Sequence, residues 1–338
     1  MALSDVVQNL SKAFSDECGL GVDEKSLIEN LGKWKAEERK SFWKANRNCF
    51  VQDERLFERC DEDHVKRLEK EFLRFKGAVV LRAMHPWERD ARLVKRALKN
   101  GSSPGSLGVL IEIACTRSSD ELLGARRAYH SLFDRSIEED AAHHIKGPER
   151  KLLVALLSAY RYEGPKVKDD NVKSDVKELA NAIKNADKKS LLQDDEVIRI
   201  LSTRSRAHLK EVYDQYHKNS GKNLDEDIGA DSRLQETVQC LCVPQKYFTK
   251  VLDAALKKDA DKKAKKALTR VIVTRADADM KQIREEFQNQ YGVSLSKKIE
   301  DAANGNYKDF LLALLRTCVF EERVGVNALS MKNIQSNK

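Results

Sequence analysis

The chain contains 338 residues, of which 41% are hydrophobic and 34% are charged, and its formal net charge is +8. This length and apolar content exclude a disordered tail and predict two or more units with buried cores. The longest apolar run covers residues 152–160, far short of the ~18 residues that span a bilayer, and the positive charge indicates an anionic partner, either nucleic acid or an acidic membrane surface.

The first predicted element is an amphipathic helix within residues 1–14, with Val6, Leu10 and Phe14 on one face. A secretory signal would begin with basic residues and continue with an apolar block, and this segment has neither feature. We therefore expect a soluble, cytoplasmic protein. Its seven cysteines are expected to remain reduced thiols, because cytosolic redox buffers keep such groups unpaired.

A glycine loop follows at Gly19-Leu20-Gly21, directly before acidic residues and an apolar run with helical spacing. Glycines in this spacing occur in phosphate cradles, metal loops and simple turns, so the spacing alone does not distinguish these uses. The meaning of the loop depends on the elements that come after it.

Long stretches of the chain place apolar residues three and four positions apart, and prolines number only five, which predicts an all-α fold. Three of these stretches carry the same pair, a threonine followed by an arginine. The pairs are Thr116-Arg117, Thr203-Arg204 and Thr274-Arg275. Similar residues stay in register for 37 positions after each threonine, so that Tyr129, Tyr216 and Phe287 correspond. The chain therefore contains internal repeats.

The opening stretch forms a further copy when its segment LIENLGKWK is aligned with LIEIACTRS, which puts Lys33 and Trp34 at the Thr-Arg positions. About ten extra residues are then needed within residues 50–71 to restore the register. The four copies of the repeat are called copies one to four in chain order.

Four helical copies of about 70 residues, with a basic pair after the second helix and a G-x-G loop between the first two helices, resemble the annexin family. Residues 83–94 (AMHPWERDARLV) and 305–315 (GNYKDFLLALL) resemble its plant branch. The resemblance implies an all-α fold of four annexin repeats with five helices each, forming a curved disc. The predicted boundaries are repeat 1 at 5–86, repeat 2 at 87–164, a linker at 165–175, repeat 3 at 176–246, repeat 4 at 247–318 and a C-terminal tail at 319–338.

The resemblance also implies calcium (Ca2+) as a cofactor, which joins the convex face of the disc to acidic phospholipids. Calcium takes six to eight oxygen ligands, and a glycine loop can turn its carbonyl oxygens inward while a distant carboxylate completes the set. In copy one the matching ligands are the carbonyl groups of Glu17, Gly19 and Gly21 and the carboxylate of Glu71.

The other copies lack this ligand set at the same offsets. The two glycine positions and the acidic position are occupied by Ser102, Pro104 and His144 in copy two, by Lys189, Leu191 and Asp231 in copy three, and by Ala260, Lys262 and Ala302 in copy four. We therefore expect a near-complete calcium site in copy one alone.

Lysines replace the metal ligands in copy four, and we call them the lysine loop. They are Lys257, Lys258, Lys262, Lys263, Lys265 and Lys266. A lysine near an anionic leaflet contributes on the order of 1 kcal/mol, so the lysine loop is a candidate membrane contact that works without calcium. A solvated helix start with charge pairs between residues i and i+4 explains the same lysines, and the sequence leaves both interpretations open.

Two further motifs have a structural and a functional interpretation. The Thr-Arg pairs either anchor a helix end or line an ion channel through Arg117 and Arg275 together with acids such as Asp90, and the anchor is favoured because three copies carry the pair. Residues 198–200 (IRI) resemble a tripeptide proposed for actin contact in plant annexins, but core packing inside a helix is favoured.

We therefore predict a peripheral membrane protein that binds phospholipids with calcium through partly degenerate sites. The alternative is a helical-repeat scaffold that binds an acidic protein or RNA through its basic face. The sequence shows no motif for specific nucleic-acid or nucleotide binding, and zinc is disfavoured because the adjacent His143 and His144 would point in different directions on a helix. No nucleophile, base and orienting acid can be grouped, so we expect no enzymatic activity.

Overall fold

The computed structural model describes residues 20–25, 50–52, 58–60, 62–158, 160–185, 190–229 and 232–316. Within these ranges the chain is almost entirely helical, which confirms the predicted all-α fold. The exception is an antiparallel pair of short strands, β1 (Phe50–Gln52) and β2 (Glu58–Cys60). This strand pair lies inside residues 50–71, where the sequence predicts the extra residues of copy one.

The helices follow one another with short connections. In the described part of the chain they are α1 (Glu62–Ala83), α2 (Pro86–Lys99), α3 (Pro104–Thr116), α4 (Ser119–Phe133), α5 (Ile137–His144), α6 (Arg150–Leu157), α7 (Asp169–Lys184), α8 (Asp195–Thr203), α9 (Arg206–Ser220), α10 (Leu224–Asp227), α11 (Ser232–Cys242), α12 (Pro244–Leu256), α13 (Lys262–Arg275), α14 (Met280–Tyr291) and α15 (Leu295–Ala302). Residues 305–316 form a further helix, and a 3-10 helix at Leu191–Gln193 precedes α8.

Copies two and three each contain five helices, α2–α6 and α7–α11, and copy four consists of α12–α15 with the helix of residues 305–316. Helix α1 is the last helix of copy one. Proline occupies the first position of α2 and of α12, at Pro86 and Pro244. The N–H group that proline lacks would have no intrahelical partner at this position, so both copies begin with a favourable helix start.

The described chain divides into two compact units. One runs from Met84 to Phe248 and holds copies two and three. The other is formed by the described residues of the segments that precede and follow it in the chain, Met1–Ala83 and Thr249–Lys338. In the first unit every residue of α3 from Ser106 to Thr116 is buried, because its sequence is almost wholly apolar. In the second unit the last turns of α13 are buried in the same way, from Val271 to Arg275. The second helix of a copy therefore belongs to the core of its unit.

The segment predicted as a linker, 165–175, is helical in its second half, because α7 begins at Asp169. Its polar sequence KVKDDNVKSD contains the start of an amphipathic pattern. Val172, Val176 and Leu179 recur at three- and four-residue spacing and are buried. The charged residues between them make the segment polar on average without keeping it out of a helix.

A hydrogen bond joins the third and fourth helices in copies two and three. The pairs are Tyr129 with Asp140, 2.5 Å apart between their oxygens, and Tyr216 with Asp227 at 2.6 Å. At the same positions copy four has Phe287 and Lys298, and Phe287 is fully buried. Both partners of the pair have changed together, so the loss of the hydroxyl group leaves no carboxylate behind that needs it.

The arginine of the Thr-Arg pair anchors the second helix to the first helix in copies two and three. Arg117 Nε donates to Asp90 Oδ2 at 2.5 Å and its Nη2 donates to Oδ1 at 3.1 Å. Arg204 contacts Asp175 in the same way at 2.6 and 3.0 Å, and His208 Nε2 lies 2.8 Å from Asp175 Oδ2. Both carboxylates are buried, so each arginine supplies the counter-charge that a buried carboxylate requires.

The backbone groups at these helix ends also have partners. The hydroxyl groups of Thr116 and Thr203 each donate to the carbonyl four residues earlier, at 2.6 Å. Arginines from other segments donate to the last carbonyls: Arg161 Nη2 to Leu201 O at 2.6 Å and Arg206 Nη1 to Thr116 O at 3.2 Å. The two arginine contacts satisfy carbonyl groups that the end of a helix leaves without an intrahelical donor.

Copy four anchors its arginine differently. Arg275 Nε donates to Asp279 Oδ1 at 2.7 Å, so its carboxylate partner comes from the next turn of the chain. The fifth residue of α12 is Phe248, whereas the fifth residue of α2 is Asp90. The first helix of copy four has no carboxylate at this position, so Arg275 pairs with one from its own segment. A buried arginine without a carboxylate would be costly.

Replacing Asp175 by asparagine removes the negative charge from a buried cluster and leaves the positive charge of Arg204 in place. We expect the free energy of unfolding to fall by about 3 kcal/mol, because one partner of a buried charge pair is lost. The control is Asp195→Asn, whose exposed pair with Lys151 should contribute less than ~1 kcal/mol. Thermal unfolding followed by circular dichroism measures both variants.

Acid should reduce the difference between wild type and Asp175→Asn. Burial raises the pKa of Asp175, but hydrogen bonds from Arg204 and His208 outweigh burial and hold the pKa below that of an ordinary aspartate. The stabilisation is therefore complete at neutral pH and is lost as the pH falls below ~4 towards the lowered pKa. A difference that stays constant from about pH 7 to about pH 3 would contradict this account.

Candidate functional site

The structure brings together the two described ligand candidates of copy one. The backbone N–H group of Gly21 donates to Glu71 Oε2 at 3.0 Å, although the two residues lie 50 positions apart in the chain. The glycine loop and the distant carboxylate therefore meet where the alignment with the inserted residues predicts. The other two ligand candidates, Glu17 and Gly19, lie outside the described residues.

Gly21 occupies a position that suits glycine alone. Its φ is +85°, in the left-handed region that residues with a side chain rarely adopt. A Cβ atom there would lie 2.9 Å from the carbonyl oxygen of Asn304 and 3.0 Å from the Cβ atom of Tyr307. The sharp turn of the loop and its close approach to copy four both depend on this missing side chain.

Backbone hydrogen bonds fix the same loop against copy four. Leu20 N donates to Ala302 O and Asn304 N donates to Leu20 O, each at 2.8 Å. Glu24 Oε2 accepts from Asn306 N at 3.1 Å, at the start of the helix of residues 305–316. Ala302, which stands at the acidic position of copy four, thus binds the backbone of copy one through its carbonyl group.

The carboxylate of Glu71 is already engaged by an arginine one turn further along α1. Arg74 Nη2 donates to Glu71 Oε1 at 2.8 Å, and Arg74 Nε donates to Oε2. Burial raises the pKa of Glu71, but the hydrogen bonds from Arg74 and Gly21 outweigh burial and hold the pKa below its usual range. Glu71 is therefore ionised at neutral pH. Arg74 is not among the ligand candidates predicted from the sequence, although the spacing E-x-x-R on a helix predicts such a pair.

These groups are of the kind that calcium binds. The carboxylate of Glu71 provides hard oxygen donors, and a glycine loop beside it is the kind of segment that adds backbone carbonyl oxygens in calcium sites. In the described part of the chain, no group of three or more His, Cys, Asp or Glu side chains is arranged to hold a metal. A calcium ion at this site would therefore depend on backbone carbonyl oxygens together with Glu71.

The corresponding loops of copies two and three offer fewer donors. In copy two Ser102 Oγ accepts from Lys146 N at 3.3 Å, so the two loops meet, but His144 Nδ1 lies 2.9 Å from the carbonyl of Asp140 on its own helix. In copy three Leu191 is buried, and Lys189 and Asp231 lie outside the described residues.

The lysine loop surrounds the start of α13. Lys257, Lys258 and Lys266 are exposed, and Lys265 is half-buried with its Nζ atom 3.5 Å from the carbonyl of Lys258. The side chains of Lys262 and Lys263 are not among those described. Asp261 caps the helix by accepting from Ala264 N at 2.6 Å, and the first turn of α13 contains no acidic residue.

The remaining motifs are largely buried. Arg117 and Arg275 are buried and each binds a carboxylate within its own unit, Asp90 and Asp279 respectively. In the tripeptide 198–200 both isoleucines are buried, and only Arg199 reaches solvent, where it donates to Glu196 at 2.7 Å. No helix in the described ranges is long and apolar enough to cross a membrane.

Known proteins resemble this chain along most of its length. A family model described as Annexin matches residues 89–156, 175–233 and 247–314. The chain is 53% identical over 318 residues to Annexin D4 of Arabidopsis thaliana, which covers 93% of this chain and 99% of that protein. It is 39% identical over 320 residues to Annexin Gh1 of Gossypium hirsutum, with 93% and 95% covered.

Solved structures give the same result for the fold. Annexin III aligns with a TM-score of 0.65 at 27% identity, covering 93% of this chain and 94% of that chain. Chicken annexin V aligns with a TM-score of 0.64 at 26% identity, covering 93% and 96%. The predicted fold of four repeats with five helices each is thereby confirmed.

Gly21→Ala should lower the free energy of unfolding by roughly 1–3 kcal/mol, because alanine is strained at positive φ and its Cβ atom would contact copy four. The control is Gly77→Ala in α1, where an added Cβ atom meets nothing within 4 Å. That variant should gain about 0.5–1 kcal/mol from helix propensity. Thermal unfolding measures both, and a Gly21→Ala variant as stable as wild type would show that the loop does not have this conformation.

Proposed function

This chain belongs to the annexin family, and on that premise we propose that it is a peripheral membrane protein with one calcium site, in copy one, and a second, calcium-independent membrane contact at the lysine loop of copy four. Calcium-dependent phospholipid binding in general follows from membership of the family. The number of calcium sites and the role of the lysines are specific to this chain and form the proposal.

The contact between Gly21 and Glu71 is the observation that carries the calcium site. It supports the pairing of a glycine loop with a carboxylate 50 residues away, and the lowered pKa of Glu71 keeps that carboxylate charged. A bound calcium ion would supply a positive charge that links protein oxygens to lipid phosphate groups. Glu71 and the carbonyl groups of Glu17, Gly19 and Gly21 would hold it.

The position of the lysine loop supports a membrane role. The amino end of a helix carries a partial positive charge, so lysines in the first turn are unfavourable there. Four lysines nevertheless occupy positions 262–266 at the start of α13, without an acidic residue in that turn. Lys257 forms an i,i+4 pair with Asp253, at 3.6 Å between Nζ and Oδ2, as a solvated helix would. Lysines at the amino end of α13 gain nothing from a solvated setting, whereas an anionic lipid surface offsets their cost at ~1 kcal/mol per lysine.

The alternative, a scaffold for an acidic protein or RNA, uses the same positive charge but predicts a different selectivity. Sedimentation with phosphatidylserine vesicles, with calcium and with chelator, separates the two functions. Binding to phosphatidylserine vesicles, but not to neutral phosphatidylcholine vesicles, supports the membrane function. We propose no actin contact through residues 198–200, because the burial of both isoleucines argues against it.

Glu71→Gln should weaken calcium binding by at least about tenfold, because the amide cannot replace the charged, bidentate carboxylate. Glu69→Gln is the matched control, since Glu69 is an exposed glutamate of the same helix. Isothermal titration calorimetry with calcium compares the two variants with wild type. Unchanged calcium affinity in Glu71→Gln would show that the site lies elsewhere.

The quadruple variant in which Lys262, Lys263, Lys265 and Lys266 become glutamine should lose most vesicle binding in the presence of chelator. Wild-type binding under the same conditions should weaken with salt, since the Debye length falls from ~10 Å at 0.1 M to ~3 Å at 1 M.

The control for this variant carries the same charge change at exposed lysines of copy three. These are Lys173, Lys177, Lys210 and Lys218, all changed to glutamine. If both quadruple variants lose binding equally, net charge and not the lysine loop attracts the protein to the membrane.

A further inference from the structure

Arg74 holds the carboxylate of Glu71 in the way that a bound cation would. Its guanidinium group contacts both oxygens, Nη2 with Oε1 at 2.8 Å and Nε with Oε2. Oε2 also accepts from the N–H group of Gly21 at 3.0 Å. Two parallel N–H donors on a carboxylate form the strong, directional arrangement that arginine favours. Both oxygens of the carboxylate therefore have partners within the chain itself.

This ion pair is sheltered from solvent. The Arg74 side chain is 8% exposed and the Glu71 side chain 16%. A second arginine on the same helix, Arg82, also contacts a carboxylate with two nitrogens, but there Asp277 is 69% exposed. Water screens exposed pairs and weakens them, whereas a sheltered pair keeps much of its attraction. The pair at Glu71 is thus the stronger of the two.

A calcium ion and Arg74 compete for these oxygens. Bidentate binding of calcium uses both oxygens of a carboxylate, and the positive charge of the ion repels a guanidinium group at hydrogen-bonding distance. If calcium binds Glu71, the Arg74 side chain must leave it. Helix α1 need not move for this, because arginine has a long flexible side chain. The helix itself is held by Phe75, whose ring makes an edge contact with Phe310 at 5.9 Å between the ring centroids.

We infer that Arg74 is a built-in competitor of calcium, a positioning residue that closes the copy-one site and sets how much calcium is needed to open it. The inference rests on the proposed calcium site at Glu71. The apparent affinity for calcium is the intrinsic affinity multiplied by the fraction of molecules in which Arg74 has left the carboxylate. The arginine thereby raises the calcium concentration at which copy one binds lipid.

The test is Arg74→Gln, with Arg82→Gln as the matched control. Both variants remove one positive charge from α1, but only the first releases Glu71. By calorimetry with calcium alone, we expect the Kd of Arg74→Gln to fall by about 10- to 100-fold, the range expected for loss of one charge-assisted hydrogen-bonded pair. Arg82→Gln should bind calcium like wild type. In the double variant Glu71→Gln, Arg74→Gln the increase in calcium affinity should be absent.

A second readout does not depend on titration heats. The rise in Tm on adding calcium should be larger for Arg74→Gln than for wild type and for Arg82→Gln, because tighter binding stabilises the folded state more. Where Arg74→Gln does not fold by circular dichroism, Arg74→Lys replaces it. Lysine keeps the charge but loses the two-pronged contact, so the same change is expected at smaller size.

The outcomes separate this inference from the proposed calcium site. If wild type binds calcium through Glu71 and Arg74→Gln binds no tighter, the competitor role is wrong and the calcium site stands. If neither protein binds calcium, both are wrong. A tighter Kd in Arg82→Gln as well would assign the effect to net charge and overturn the competitor role.

Discussion

A buried charge needs a counter-charge close by, and this requirement organises both the fold and the candidate site. In copies two, three and four the second helix is largely buried and ends at an arginine, so the arginine must meet a carboxylate. In copies two and three that carboxylate lies on the first helix, at Asp90 and Asp175, and the ion pair therefore ties two helices together. In copy four Phe248 removes this option, and Arg275 binds Asp279 within its own segment.

The same requirement determines the state of the candidate calcium site. Glu71 is sheltered and ionised, so some cation must accompany it, and Arg74 supplies that charge from within the chain. Calcium binding then becomes an exchange of one cation for another. Such a site can be structurally sound without metal, because its carboxylate is never left alone. The glycine loop is likewise held by backbone hydrogen bonds to copy four.

Copy four presents the opposite arrangement. Its lysines stand at the start of α13, where the helix itself carries positive charge, and Asp261 is occupied as the cap. An anionic membrane surface at this loop would balance the positive charge of its lysines. The two halves of the proposed function thus follow one rule of charge balance. In copy one calcium would replace Arg74 at the carboxylate of Glu71, and in copy four an anionic surface would balance the lysines.

The sequence by itself determined the helical class, the register of the copies and the pairing of Gly21 with Glu71 across the inserted residues, because helical spacing and repeat offsets are local patterns that survive in the order of residues. It also predicts about ten inserted residues within residues 50–71, where the structure has a strand pair that helical spacing does not indicate. In the segment 165–175 the average polarity of the sequence conceals the buried face of α7, which begins at Asp169.

Only the tertiary structure decided which charges meet. The partners of Arg117 and Arg204 lie 27 and 29 residues away, on a different helix. Whether Arg74 contacts Glu71 or solvent depends on the tertiary structure, which also brings the N–H group of Gly21 to the same carboxylate. Spacing along the chain indicates which residues share a face of a helix. The partner of a buried charge depends instead on how distant segments pack together, because removal from water makes an unpaired charge costly.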